Sequence, residues 1–335
     1  MIGSENVIFK KDLIKKEKYE VKEISKKDYF LHHYKIVSKI GHGSFGDVYK
    51  GVYQNNTYAI KVDNNKSKLD HEVNIYYHIK IQEYEIPIPK IYFYGKVEYN
   101  LPITKDPVRK QFKEIINKDK KKEILVMEYL GGSLECLYQK FKPFTIPTIL
   151  GIGIQIIKIL KKVHDKNIIH RDIKPHNFLI GKKNKKKIFI IDFGISKIYR
   201  KNDKHIKYKE GKNLTGSLRY CSLRNHLGIE PSRRDDLESL CYMLILFFKG
   251  KLPWQGITKN IKDKKTKSEN IKIKKLKTSI EELCYNCPIE MKFFIQYCRN
   301  LCFNEKPNYD YLISLFQIML EKNKLTEDTI IYDWE

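Results

Sequence analysis

The run His170, Arg171, Asp172, Ile173, Lys174, Pro175, His176, Asn177, with Asp192 fifteen residues beyond Asn177 in Ile190–Gly194 (IIDFG), constrains this 335-residue chain more than any other feature. It gathers a carboxylate, an ammonium and an amide in one short loop, then supplies a second carboxylate at the end of an apolar, strand-like run. Asp172 can accept or orient the proton of a hydroxyl, and Lys174 can neutralise charge on a transferring phosphoryl group. Asn177 and Asp192 offer oxygen ligands to a magnesium ion bridging nucleotide phosphates. Phe193 supplies a packing group and Gly194 the freedom to turn. An isolated Asp-Phe-Gly reads equally as a strand end with a turn, and it is the company of the first loop that favours chemistry.

Matching parts lie upstream. Gly41, Gly43 and Gly46, with Val48, form GHGSFGDVYKG between two strand-like runs. Glycines at this spacing let backbone N–H groups approach phosphate oxygens, although a tight hairpin uses the same residues. Fifteen residues after Gly46, Lys61 follows Ala59 and Ile60 on a strand from which an ammonium can reach the α and β phosphates of ATP. Glu72, on the helix that follows, can pair with Lys61 and hold it in place. With Asp172, Asn177 and Asp192 all present beside them, the set reads as an intact site for phosphoryl transfer from ATP.

Residues 1–33 alternate lysine and acid and read as a charged N-terminal extension. From Tyr34 the texture changes. Ile36 and Ile40, then Val48, Tyr49, Val52 and Tyr53, then Tyr58–Val62 read as a three-strand meander with a turn at Asn55 and Asn56. Leu69–Ile81 carries helical spacing, and Lys90–Gly95 and Glu123–Met127 read as strands. The charged stretch Tyr99–Lys122, with Pro102 and Pro107, is too long for an ordinary hairpin connection and reads as an insertion, with a short helix near Arg109–Ile116. Beyond Gly131 and Gly132, helices are expected at Leu134–Lys140, Pro147–His164, Asp235–Lys249, Glu281–Cys284 and Glu290–Cys302. A strand-rich part, 34–130, thus precedes a helix-rich part, 131–335. That order gives an α+β protein of two lobes with its site in the cleft between them.

The formal net charge of +25 favours an anionic partner: nucleic acid, an anionic membrane surface, or an acidic or phosphorylated protein. A merely solvated lysine-rich surface is the plainer alternative. Seven cysteines, an odd number, fit reduced thiols in a cytoplasmic or nuclear setting better than a disulfide framework. Cys284, Cys287, Cys298 and Cys302 form pairs at ligand-like spacing, but their apolar neighbours Phe293, Phe294, Tyr297 and Leu301 favour packed thiols over a zinc site. Met1–Lys11 lacks the apolar core of a signal peptide, and the longest apolar run, Cys241–Phe248, is too short to span a bilayer. No nucleic-acid recognition module is visible, so nucleic acid is not expected as a specific partner. A binding scaffold without catalysis would lack at least one of Lys61, Asp172, Asn177 and Asp192, and all four are present.

The stretch His205–Gly256 resembles the casein kinase 1 family of protein serine/threonine kinases more closely than protein kinases in general. Most protein kinases carry Ala-Pro-Glu at the end of the activation segment, whereas Ser222, Leu223 and Arg224 here resemble the Ser-Ile-Asn of that family. The resemblance runs from about Tyr34 to the end, through LVMEYLGGSLE between the lobes, FNEKPNY ending at Tyr309, and the closing YDWE. It implies the two-lobed protein kinase fold, with an antiparallel β-sheet and one main helix in the N-terminal lobe and a mainly α-helical C-terminal lobe.

The resemblance also implies ATP and Mg2+ as cofactors. ATP would contact Ile40, Gly41, Gly43, Ser44, Gly46, Val48, Ala59, Lys61, Glu72, Met127, Glu128 and Leu130. Asp172, Lys174 and Asn177 would be the catalytic residues, and Asn177 and Asp192 the metal ligands. Serine or threonine preceded by acidic or phosphorylated residues would be the substrate, its negative charge held by Arg219, Gln255, Gly256 and Lys265. Lys259–Lys277, with nine lysines against two acids, adds field to that pocket, or is a solvated loop. A monomer, active without activation-loop phosphorylation and free of a long C-terminal inhibitory tail, is the further expectation. The sequence departs from the family at His176, where aspartate is usual in the catalytic loop, and at Cys136, where an aspartate near the ribose is common. The N-terminal extension and the 99–122 insertion have no assigned counterpart.

Overall fold

The computed structural model describes residues 34–43, 46–62, 66–80, 86–97, 107 and 122–335. Ser44, the extension and nearly all of the insertion lie outside the described residues. Strands β1 (Lys35–Gly43), β2 (Gly46–Tyr53), β3 (Asn56–Val62), β4 (Ile91–Val97) and β5 (Lys122–Glu128) form one antiparallel sheet of order β1-β2-β3-β5-β4. Gln54 and Asn55 close the β2–β3 hairpin with φ of 45° and 61°, the sign that matches the twist of the flanking strands.

Strand alternation divides the sheet. Ile60, Val62, Ile124 and Val126 turn to one face and bury with Tyr34, Ile36 and Tyr49. Ala59, Leu125 and Met127 turn to the other face, where Leu69, Val73 and Tyr76 of helix α1 (Lys66–Lys80) pack. Lys61 alternates with Ile60 and so shares the α1 face with Ala59.

Below the sheet lie α2 (Leu134–Phe141), α3 (Ile146–Asp165), short strands β6 (Ile168–Ile169), β7 (Phe178–Ile180), β8 (Ile188–Ile190), β9 (Lys197–Ile198), β10 (Arg200–Lys201) and β11 (Lys204–His205). Helices α4 (Leu223–His226), α5 (Arg233–Lys249), α6 (Lys264–Lys277), α7 (Ile280–Cys284), α8 (Ile289–Asn300) and α9 (Tyr309–Lys322) complete the chain. The α5 helix is buried from Arg233 to Phe247; a Ser232–Asp235 capping box starts it and Gly250, at φ 76°, stops it. No helix among the described residues is long and apolar enough to cross a membrane. Cys284 and Cys298 are buried and Cys302 exposed.

Two features differ from the sequence reading. The lysine run is not a solvated loop: residues 264–277 form α6, started by Asp263, whose carboxylate accepts the Thr266 N–H. Helix α9 follows the last expected helix and buries Leu312, Phe316, Met319 and Leu320.

Candidate active site

Lys61 leaves β3 beneath the sheet, where its Nζ lies 2.6 Å from Glu72 Oε2 on α1 and 3.1 Å from Asp192 Oδ1. Burial works to lower the Lys61 pKa, but the Glu72 and Asp192 carboxylates outweigh it and hold the ammonium above its ordinary value. Burial likewise works to raise Asp192, and Lys61, with smaller help from His170 and Lys174, holds its carboxyl below the usual range. The pairing keeps Lys61 and Asp192 charged together in a nearly dry cleft.

A second carboxylate builds the loop around Asp172. Asp236, on α5, accepts the His170 and Arg171 N–H groups at 2.7 and 2.8 Å, and lies 3.0 Å from His164 Nε2. The loop therefore hangs from a buried helix. His170 packs edge-on against Phe193, which packs edge-on against Tyr76 of α1, with centroids 5.0 and 5.2 Å apart. Phe193 is thus seated inside, which turns Asp192 towards Lys61. Arg171 and Asp192 both hold φ of 68°, an unusual conformation for residues with a Cβ, fixed by this scaffold.

Around Asp172 itself, Lys174 Nζ donates to Oδ2 at 2.5 Å, Ser217 Oγ donates to Oδ1 at 2.7 Å, and Asn177 Nδ2 donates to its backbone carbonyl at 2.9 Å. Gly216 makes the Ser217 contact possible: at φ 86°, a Cβ there would meet Arg171 O at 2.3 Å. Asn177 uses its N–H on the loop and keeps its amide oxygen as an acceptor. With the Asp192 carboxylate this is a pair of hard oxygen donors, the chemistry Mg2+ takes.

Val48, Ala59 and Met127 belong to one apolar cluster with Ile180, whose backbone exchanges hydrogen bonds with Gly131 N–H (2.8 Å) and Gly132 O (3.1 Å). Leu130 is buried and Ile40 exposed. Gly41 pairs with Val48 and Gly43 with Gly46 across the β1–β2 hairpin. The Glu128 carboxylate is turned aside, accepting the Lys90 N–H at 3.2 Å, and its own N–H donates to Lys90 O at 2.8 Å, so neither group is offered to a base. An apolar slot bordered by main-chain groups suits a purine, and the cations and oxygen donors beyond it suit its phosphates and metal.

On the opposite side, Arg219 follows Ser217 in a turn and its carbonyl accepts Trp254 Nε1–H at 2.8 Å. Gly256 has φ 84° with open space where a Cβ would project, and Lys265 is exposed in the first turn of α6. Gln255 Oε1 accepts the Leu252 N–H at 2.6 Å, which fixes its amide by the oxygen and leaves the Nε2–H side as the part that could meet an anion. His176 stands 3.8 Å from Glu135. Burial, helped by Lys174 and Arg219 and opposed by Glu135, holds its imidazole below the ordinary value, so it is neutral near pH 7. Cys136 is exposed and donates its N–H to Ser133 Oγ, the cap of α2.

The Protein kinase domain family model matches residues 34–316, which takes in every group described above. This chain belongs to the protein kinase family. In the kinase, a β-sheet lobe carries Lys61 and the apolar slot, and the helical lobe carries Asp172, Asn177 and, on the connecting segment, Asp192. Four contributors escaped the sequence reading. Ser217, Ile180 and Asp236 act through distant partners, and Glu230, 4 % exposed, lies 3.9 Å from Arg171, 2.8 Å from Lys197 and 3.8 Å from Lys212. Gly216, beside Ser217, was the one local signal.

Proposed function

We propose that the kinase is a serine/threonine kinase of casein kinase 1 type that transfers the γ-phosphate of ATP to serine or threonine preceded by acidic or phosphorylated residues. The observation that carries this reading is the Asp172 cluster. One carboxylate oxygen faces Lys174 and the other faces the hydroxyl of Ser217, an arrangement suited to a small aliphatic alcohol. Bound MgATP supplies the phosphoryl group, and Asn177 and Asp192 are the residues that would hold the metal. Asp172 then orients the attacking hydroxyl, Lys174 offsets phosphoryl charge and Lys61, kept charged by Glu72, steadies the nucleotide. Arg219, Lys265 and the Gly256 main chain form the basic side that would favour negative charge upstream of the acceptor.

Constitutive activity belongs to the same proposal. Glu230 already supplies Arg171, Lys197 and Lys212 with a buried carboxylate, so no phosphate on the activation segment is needed to gather those cations.

The test is phosphate transfer from MgATP to two matched serine peptides, one with phosphoserine and one with alanine three residues upstream, with Asp172→Asn as control. Faster transfer to the primed peptide, abolished in the control and levelled by Arg219→Ala with Lys265→Ala, supports the reading. Transfer confined to tyrosine, or equal losses on both peptides in the double variant, defeats it.

A further inference from the structure

Lys275 is the one buried lysine on α6, with 0 % exposure. Its ammonium pairs with no carboxylate among the described residues. It donates to Leu218 O at 3.1 Å and Cys221 O at 2.5 Å, and sits 4.9 Å from the ring centroids of both Tyr242 and Trp254. Removing an ammonium from water to serve two neutral acceptors is costly, and an apolar side chain would fill the same space without that cost. What an apolar side chain cannot do is fix the position of the carbonyls.

Those carbonyls bracket Arg219 and Tyr220. The segment is a turn in which Tyr220 N–H and Cys221 N–H both donate to Ser217 O, at 3.0 and 2.9 Å. Trp254 Nε1 donates to Arg219 O, and His226 Nε2 lies 3.2 Å from Leu218 O. Burial pushes the His226 pKa down to about 3, so that ring is neutral and its N–H can donate. Three of the four carbonyls from Leu218 to Cys221, those of Leu218, Arg219 and Cys221, are thus held by Lys275, Trp254 and His226. Ser217 at one end of the turn bonds Asp172, and Arg219 in its middle is exposed. Ten residues before Lys275, the same helix α6 displays Lys265.

We propose that Lys275 is a positioning residue that fixes the Leu218–Cys221 part of the turn to α6, and so sets Arg219 against Lys265. This rests on the pocket reading above for its effect on substrate choice, but not for its effect on the turn. Lys275 touches neither substrate nor nucleotide; it determines where the groups that meet the substrate stand.

The variant is Lys275→Met, similar in length and without donors, measured in three ways on the full chain. The ratio of kcat/KM on the primed and unprimed peptides is expected to fall about tenfold towards unity, while KM for ATP and peptide-independent ATP hydrolysis stay within about twofold. Hydrogen exchange at the Tyr220 and Cys221 amides is expected to quicken about tenfold, while α5 amides keep their protection. Uniform losses in ATP hydrolysis and both peptides would mean a packing role only and overturn the proposal, as would unchanged ratio and exchange. If the methionine variant does not fold, Lys275→Gln, which keeps one donor group, is read by the same exchange measurement. A wild type that ignores priming defeats the pocket reading instead, and the exchange result then decides Lys275 by itself.

Discussion

Ser217 donates its hydroxyl to Asp172 Oδ1 at 2.7 Å, joining the activation segment to the catalytic loop across 45 residues of chain. The contact fixes the carboxylate plane, so the second oxygen faces Lys174. Ser217→Ala is expected to lower kcat about tenfold, which corresponds to about 1.4 kcal/mol of transition-state stabilisation, with KM for ATP unchanged. Asp172→Asn removes the proton acceptor and is expected to cost at least about a hundredfold in the same assay. Single-turnover transfer separates chemistry from binding, and a Ser217→Ala protein with full kcat would show that Lys174 alone orients Asp172.

Glu72→Gln addresses the buried pair. The change removes the nearer of the two carboxylates described at Lys61, and a buried ammonium with a weakened partner is destabilising by about 3 kcal/mol. Freed from Glu72, Lys61 draws Asp192 more strongly, and the Asp192 oxygen becomes less available to a cation. Expected results are a rise in the Mg2+ concentration for half-maximal rate together with a lower denaturant midpoint. A variant with wild-type Mg2+ dependence would mean that Asp192 is held by the loop and not by the charge.

How much of this was legible in sequence follows from how local each constraint is. The loop of Asp172, Lys174 and Asn177 and the carboxylate at Asp192 need given residue types at fixed spacing, so they stand out in one dimension. Lys61, fifteen residues beyond Gly46 on a strand, and Glu72 on the next helix were legible for the same reason. Helix α6 was opaque because Ile273 and Leu276 are 40 % and 50 % exposed and a buried position is filled by Lys275, so hydropathy spacing runs against the burial. Helix α9 did carry a signal, the i, i+3, i+4 spacing of Leu312, Leu315, Phe316 and Met319, after an Asn308 cap. Glu230 and Asp236 are read in sequence as two more charges in a polar stretch; only folding brings Arg171, Lys197 and Lys212 to one and His164 to the other.

The Glu230 cluster gives a prediction about control. Phosphatase-treated protein is expected to keep its rate within about twofold, because the cations that a phosphate would recruit already share a carboxylate. Glu230→Gln keeps the shape and removes the charge. It is expected to lower activity and to loosen the activation segment, seen as faster proteolysis between Lys197 and Lys212. Full activity of Glu230→Gln, or loss of activity on phosphatase treatment, would show that the segment is ordered by other means.

Asp235 supplies a pH dependence whose sign is fixed by burial. Desolvation pushes its pKa up from 3.8 to about 6, against the hydrogen bonds from Ser222 Oγ and Ser232 N–H. Between those two values the folded chain holds a proton that the unfolded chain has released, so stability falls as pH rises through the window and is level above it. The difference is about two pKa units, equivalent to about 3 kcal/mol. Its neighbour Asp236 acts in the opposite sense: burial is outweighed by the hydrogen bond and charge of His164, its carboxyl is held low, and its contribution is lost as pH falls. The raw stability curve mixes the two, and comparison with Asp235→Asn separates them. Subtracting the variant's unfolding free energy from that of the wild type is expected to leave a curve that declines between about pH 4 and pH 6 and then flattens. A difference that is flat throughout, or that rises with pH, would mean that Ser222 and Ser232 hold Asp235 ionised inside the helix cap despite its burial.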